Sequence, residues 1–162
     1  TFAGYSLFKT KNAVYEGNFL LSDAQTENHL AQWISINELH HYLYCLKDFL
    51  TKHFLGKYYG FLGVDMFVYQ ENDNFRINPV VEINTRTTMG CLARLFYDKF
   101  VSPSSHGFLS VCYLPQQKNS YHNLQNFSDL EIENGKIKNG TISLSPMYKN
   151  SSYQVIVNVK KE

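Results

Sequence analysis

The segment NPVVEINTRTTMG, residues 78–90, carries three polar side chains that could do chemistry, Glu82, Asn84 and Arg86, at every second position. Alternate residues of a β-strand point to the same face of a sheet. Carboxylate and carboxamide oxygens are hard ligands, suited to a Mg²⁺ ion that also holds substrate phosphates. A further acid, Asp65, lies in the apolar run just before this segment. These residue types and their spacing indicate either a site for a metal ion that holds substrate phosphates or a solvated sheet face with scattered polar residues.

Two β-like runs would position these side chains. Residues 61–70 read FLGVDMFVYQ and residues 75–84 read FRINPVVEIN, and the turn-rich ENDN of residues 71–74 separates them. Two apolar runs around a short turn-forming segment predict a β-hairpin. A four-residue connection would place Tyr69 opposite Arg76, so odd positions of the first strand share a face with even positions of the second.

This pairing brings the polar residues together. It places Asp65 opposite Val80, and Asp65 then shares a face with Glu82 and Asn84. Asp65 and Glu82 form a diagonal pair, with roughly 7–8 Å between their α-carbons. A two-residue shift or a bulge would keep this facing, whereas a one-residue shift would invert it. Pro79 has no N–H for the ladder, so we expect it at an outward-facing position or in a bulge.

The rest of the chain predicts an α+β fold, an antiparallel β-sheet with two main helices. The predicted elements are a hairpin within 2–21, a helix over 36–55 that begins at a capping box of Ser35 and Glu38, a helix over 87–100, a loop over 101–107, a strand over 108–115, a loop over 116–126, and tail strands that turn at Asn134–Gly135 and Asn139–Gly140. Residues 22–36 show no clear pattern.

Composition bounds the class of protein. The chain is 44% hydrophobic and 15% aromatic, which is typical of a globular domain and excludes a disordered one. Its net charge of +1 gives no indication of a nucleic-acid or membrane-surface protein. The three cysteines form no CxxC pair, and no apolar run approaches the roughly 20 residues of a membrane span. We therefore expect a cytoplasmic protein.

The segment GVDMFVYQENDNFRINPVVEINTRTTMG resembles the metal-binding hairpin of ATP-grasp enzymes, a superfamily that includes biotin carboxylase and carboxylate–amine ligases. The superfamily has an acid on one strand and an apolar-Glu-x-Asn motif on the next. Here these are Asp65 and the run Val81–Asn84, and the continuation through Arg86 is close to the biotin carboxylase version. The resemblance spans roughly residues 60 to 95.

The resemblance implies the roles of the site residues. Glu82 and Asn84 would be Mg²⁺ ligands, with Glu82 bridging two ions between the phosphates of ATP, and Asp65 would be the upstream acid. Arg86 would act in catalysis by contacting the transferred phosphoryl group. Lys9, in the first hairpin, is a further candidate to reach a phosphate of the nucleotide. The implied cofactors are ATP and Mg²⁺, with two ions.

The resemblance also implies the reaction and the partners. ATP would activate a small-molecule carboxylate as an acyl phosphate, and an amine or other nucleophile would then displace the phosphate. Residues 1–100 would form the C-terminal lobe of an ATP-grasp domain, and residues 101–162 a β-rich extension that completes the same domain. The lobe that grips the nucleotide would lie upstream of Thr1. We therefore expect a fragment of a longer bacterial protein, inactive alone, with no nucleic-acid or membrane partner.

Other interpretations and residues stay open at this point. The chain could be a non-catalytic binding or scaffolding module that keeps half of the grasp fold, or an unrelated α+β domain with a coincidental Glu-Ile-Asn. Cys91 follows Gly90 at a predicted helix start, where a lowered thiol pKa is possible. Arg94 is a weaker candidate to bind an acidic substrate group. The six histidines show no zinc-ligand spacing.

Overall fold

A computed structural model describes residues 1–113, 129–146 and 151–162. This part of the chain has an α+β fold with three helices and eight strands, which confirms the predicted class. The elements are β1 (Phe8–Lys11), β2 (Val14–Leu20), α1 (Asp23–Leu30), α2 (Ile36–Phe54), β3 (Gly63–Glu71), β4 (Asn74–Asn84), α3 (Met89–Phe100), β5 (Ser105–Tyr113), β6 (Glu131–Glu133), β7 (Lys136–Ser143) and β8 (Tyr153–Lys161).

The larger sheet has six antiparallel strands in the order β1-β2-β5-β8-β7-β6. Strands β5 and β8 lie at its centre, and apolar residues at alternate positions on one face of each belong to or pack against a buried cluster shared with α3. Apolar residues at helical spacing on α3 pack against this face. The buried cluster consists of Leu20, Ala93, Tyr97, Val101, Leu109, Ile137, Val157 and Val159. Strands from before and after residue 100 therefore share one sheet and one core.

Strands β3 and β4 form a separate two-stranded sheet. A second cluster holds this hairpin, because Ile77 of β4 is buried together with Leu39 of α2 and Ile34 just before that helix. Val68 of β3, which pairs with Ile77, packs against the same cluster. The predicted helix over 36–55 is thus confirmed, and its role is to support the hairpin.

Three hairpins turn through two residues that both have positive φ, as type I′ turns require. The turn residues are Asn12–Ala13, Asn72–Asp73 and Asn134–Gly135. The predicted turn at residues 134–135 is confirmed. The connection at ENDN is a two-residue turn and not the predicted four-residue one, because Glu71 pairs with Asn74. It still gives the predicted pairing of Tyr69 with Arg76.

The predicted turn at Asn139–Gly140 is wrong, because both residues lie inside β7. Gly140 has a φ of +122°, and a Cβ there would lie 2.7 Å from the carbonyl oxygen of Asp129. This glycine serves a close backbone approach beside the β6–β7 register shift. The predicted loop over 101–107 is also too long, since β5 begins at Ser105. Residues 114–115 and the predicted loop 116–126 lie outside the described residues.

Helix α1 carries no apolar stripe, which explains why periodicity did not predict it. Its start is nonetheless marked by a capping box, in which Ser22 and Gln25 exchange side-chain to backbone hydrogen bonds. Ser35 does precede α2, but its side chain makes no capping hydrogen bond, so the capping box predicted there is wrong. The helix predicted over 87–100 is confirmed as α3.

Two other sequence candidates have structural roles. Arg94 binds Asp23 of α1 and Asp98 one turn along α3, so its guanidinium joins two helices and is not open to a substrate. Burial raises the pKa of the Cys91 thiol, which is opposite to the lowering expected at a helix start.

In the described ranges, no helix is both long and apolar enough to cross a membrane.

Candidate functional site

The register of the β3–β4 hairpin places Asp65 directly opposite Glu82. Directly opposed residues of an antiparallel pair point to the same face, with their Cβ atoms about 4.5–5.5 Å apart. The predicted shared face of the two carboxylates is therefore confirmed. The predicted diagonal pairing is wrong, because Val80 does not take the place opposite Asp65.

A bulge in β4 causes this difference. Phe67 pairs with Asn78 and Asp65 pairs with Glu82, so three β4 residues, 79 to 81, lie across from Met66 alone. Pro79 lies in this interruption of the ladder, as its missing N–H required. The side chain of Asn78 accepts a hydrogen bond from the backbone N–H of Val80 at 3.3 Å. An Asx-type bond of this kind turns the chain locally and supports the bulge.

The bulge also changes which apolar residues are covered. Strand alternation predicts Val81 on the same inward face as Ile83, but Val81 is 54% exposed, and Val80 beside it is exposed as well. Only one face of this two-stranded sheet can pack against α2. The residues in the bulge do not extend that face, so they are not covered by the helix. Ile83, opposite Val64, remains partly buried.

Glu82 and Arg86 both act electrostatically on the carboxyl group of Asp65. Burial, and the nearby carboxylate of Glu82, raise the pKa of Asp65, whereas Arg86 acts to lower it. None of the ion pairs among the described residues includes Asp65, Glu82 or Arg86. Two like charges thus face each other with one guanidinium nearby, an arrangement that favours a bound cation or a proton.

Asn84 lies at the base of the same hairpin, two residues after Glu82. It is buried and pairs with Gly63, where a Cβ would lie 3.0 Å from the Thr88 methyl carbon and 3.6 Å from the Asn84 Cβ. Thr88 in turn caps α3, because its hydroxyl accepts a hydrogen bond from the Cys91 N–H at 3.1 Å. The close packing at Gly63 therefore ties the base of the hairpin to the start of α3.

The oxygen donors of this hairpin fit a hard cation. Asp65 and Glu82 offer carboxylates and Asn84 a carboxamide from one face, and Mg²⁺ prefers such oxygen ligands while it keeps several waters. The described residues contain no group of three or more His, Cys, Asp or Glu that could hold a metal ion. The fit thus depends on two acids plus the carboxamide of Asn84.

Lys9 lies in a different sheet from these residues. It is in β1, where its ammonium forms an ion pair with Glu16 at 3.0 Å. Glu16, Phe108 and Cys112 line an open groove of about 730 Å³ on the six-stranded sheet. Neither Asp65 nor Glu82 lines this groove. The structure brings Asp65, Glu82 and Asn84 together with Arg86 nearby, but it does not add Lys9 to them.

Two residues that sequence reasoning did not select shape the site. Asn78 supports the bulge, and Thr88 packs at the base of the hairpin. An Asn-Pro dipeptide inside a strand-like run is a recognised turn signal, and it could have indicated the bulge at residues 78–79. Nothing in the local pattern indicated Thr88, because its contact with Gly63 joins separate elements.

Comparison with known proteins gives no relative for this chain. No protein-family model matches it. No curated protein and no solved structure matches it either.

Proposed function

We propose that this chain provides the Mg²⁺-binding part of an ATP-dependent ligase of the ATP-grasp type. One observation carries the proposal: Asp65 lies directly opposite Glu82, with Asn84 two residues further along the same strand. The resemblance of residues 60 to 95 to the ATP-grasp hairpin supports the same conclusion.

In this proposal each side chain has a separate task. Asp65, Glu82 and Asn84 hold the cation through oxygen atoms, and bound Mg²⁺ would neutralise charge on the phosphates of ATP. Arg86, which acts on the same carboxylate of Asp65, is available to a phosphoryl oxygen. The phosphoryl acceptor is a small-molecule carboxylate, and an amine is the proposed nucleophile.

The remaining parts of the proposal concern nucleotide binding and location. A further lobe would supply the lysines that grip the nucleotide, and the protein would act in the cytoplasm. Lys9 would have to leave Glu16 to reach a phosphate, because that carboxylate now binds its ammonium.

The test of the metal role uses Mn²⁺, a paramagnetic substitute for Mg²⁺. We expect Glu82→Gln to weaken Mn²⁺ binding by about tenfold or more, because it removes a charged ligand. Glu71→Gln is the matched control, since Glu71 is an acid of the same hairpin that pairs with Arg76. Electron paramagnetic resonance of free Mn²⁺ measures both affinities. Equal affinities of wild type and Glu82→Gln would contradict the proposed metal site.

The second test separates an enzyme from a non-catalytic module. ATP turnover by the full-length protein should fall strongly in Glu82→Ala, because the phosphates of ATP would lose a cation that neutralises their charge. Unchanged turnover would refute the metal role of Glu82. Failure of the wild-type protein to bind either Mn²⁺ or ATP would favour a non-catalytic binding or scaffolding module.

A further inference from the structure

The tip and the base of the hairpin make different contacts, and their strand pairings are offset from each other by two residues. At the tip, the Asn72–Asp73 turn and the burial of Ile77 fix the pairing as far as Phe67 with Asn78. At the base, Gly63 pairs with Asn84 and packs against Thr88. Between these two ends, β4 has two residues more than β3 needs, and the bulge takes them up.

The bulge decides which residue faces Asp65. An unbroken ladder from the tip would place Val80 opposite Asp65 and Glu82 opposite Gly63. Glu82 would then lie about 7 Å further along the strand, since two residues rise roughly 3.4 Å each. The bulge instead sets Glu82 directly opposite Asp65, at the distance where two carboxylates can share an ion.

We propose that Asn78 and Pro79 are positioning residues that hold this bulge, and that the affinity of the Asp65–Glu82 pair for a divalent cation depends on the register it sets. The metal part of this inference rests on the proposed function. Pro79 has no N–H for the ladder, and Asn78 accepts the N–H of Val80 that would otherwise continue it. Neither side chain is needed as a metal ligand for this role.

Cross-linking tests the register without any metal. A disulfide needs α-carbons about 4.4–6.8 Å apart, so a directly opposed pair can form one and a diagonal pair resists it. In the native bulge, Asp65→Cys with Glu82→Cys should oxidise to a bridge, and Asp65→Cys with Val80→Cys should not. Adding Asn78→Val and Pro79→Val should reverse this preference. Peptide mass mapping distinguishes these bridges from any that involve Cys45, Cys91 or Cys112.

Mn²⁺ affinity then tests the consequence of the register. With Asp65 and Glu82 intact, Asn78→Val with Pro79→Val should weaken Mn²⁺ binding by about tenfold or more, the loss typical when the support of a ligand is removed. Val81→Thr is the matched control, because it changes an exposed bulge residue and keeps both positioning residues. Its affinity should stay within about threefold of wild type.

A deletion provides a second variant in case the double substitution does not fold. Removing Pro79 and Val80 leaves an unbroken ladder in which Val81 faces Met66 and Glu82 still faces Asp65. This variant should keep the 65–82 cross-link and a Mn²⁺ affinity within about threefold of wild type. Loss of either property in the folded deletion variant would overturn the proposal, because register alone could then not explain the role of the bulge.

The outcomes distinguish this inference from the proposed function. A 65–82 cross-link that persists in Asn78→Val with Pro79→Val overturns the positioning role, because the two ends of the hairpin would then set the register. A changed register with unchanged Mn²⁺ affinity overturns it as well. If wild type binds no Mn²⁺, the metal site and its positioning both fail, while the cross-links still show whether Asn78 and Pro79 set the register.

Discussion

The six-stranded sheet and the β3–β4 hairpin differ in how completely their residues are packed. The cluster shared by the sheet and α3 contains eight buried residues, including Leu109 and Val157 with no exposed surface. The hairpin buries Ile77 against α2, but it leaves Phe67, Phe75 and Val81 exposed. Hydrophobic stabilisation scales with the apolar area removed from water, so the sheet carries most of it.

The two regions also treat charge differently. Beside the sheet, Arg94 lies between Asp23 and Asp98, and each acid of the pair receives a donor. On the hairpin, Asp65 and Glu82 face each other as like charges. Like charges in direct opposition weaken a strand pair. The comparison indicates that the sheet is built for stability, while the hairpin gives up some stability for its acidic pair.

Leu109→Ala should produce the largest effect and tests the dominance of the sheet. Leu109 is fully buried on a central strand, and its truncation leaves a cavity, so we expect the free energy of unfolding to fall by about 2–5 kcal/mol. Val81→Ala on the hairpin is the control and should change it by less than about 0.5 kcal/mol. Urea denaturation measures both. Similar losses would show that the hairpin is as important to stability as the sheet.

Arg94→Ala should have the next largest effect. The Arg94 side chain is 16% exposed and binds two carboxylates, so we expect a loss of about 1–2 kcal/mol in the free energy of unfolding. Arg76→Ala is the matched control, because Arg76 is 61% exposed and pairs with Glu71 on the hairpin. It should cost less than about 0.5 kcal/mol. Equal losses measured by urea denaturation would remove the contrast between the two regions.

Asp65→Asn should raise the free energy of unfolding, whereas the two substitutions above lower it. The raised pKa of Asp65 means that its ionised form is less favourable in the folded chain than in the unfolded one. Removing the charge should therefore increase the free energy of unfolding at neutral pH in the presence of a metal chelator, by about 0.2–1 kcal/mol, the range of a directly opposed cross-strand pair. Thermal or urea denaturation measures the change. A decrease in stability would show that the acidic pair is not a cost to the fold.

The smallest expected effect concerns Glu27 and pH. His40 and Tyr5 both donate hydrogen bonds to Glu27, at 2.8 and 2.9 Å, and these bonds lower the pKa of its carboxyl. A lowered folded-state pKa means that the stabilisation is present above the unfolded pKa near 4.3 and is lost as the pH falls through the folded value.

Urea denaturation of wild type and Glu27→Gln between pH 6 and pH 3 tests this expectation. Since both partners are partly exposed, wild type should be more stable by less than about 1 kcal/mol at pH 6. That difference should diminish as the pH falls through the lowered pKa of Glu27. A difference that stays constant with pH would mean that the ionised carboxylate does not contribute to stability.

Local sequence patterns predicted much of the fold, because helices and hairpins depend on residues that are close together in the chain. Helices α2 and α3 follow from apolar spacing, and the hairpins follow from apolar runs that flank short polar turns. Strand parity, together with the cross-strand pairing that the short turn sets, placed Asp65 and Glu82 on one face. Helix α1 was not predicted, because it has no apolar stripe. The turn predicted at Asn139–Gly140 is wrong, because local sequence does not distinguish a Gly needed for a close backbone approach from a Gly in a turn.

The sequence by itself determined which residues could meet, because side-chain parity and turn chemistry depend on neighbouring residues only. It placed Asp65, Glu82 and Asn84 on a common face and predicted that Pro79 would lie at an outward-facing position or in a bulge. Only the tertiary structure decided that Glu82 lies directly opposite Asp65, and that β3 and β4 form a sheet of their own on α2. Register across a bulge cannot be read from local spacing, because the buried Ile77 on one side of the bulge and the packing of Gly63 on Thr88 on the other are contacts between residues distant in the chain.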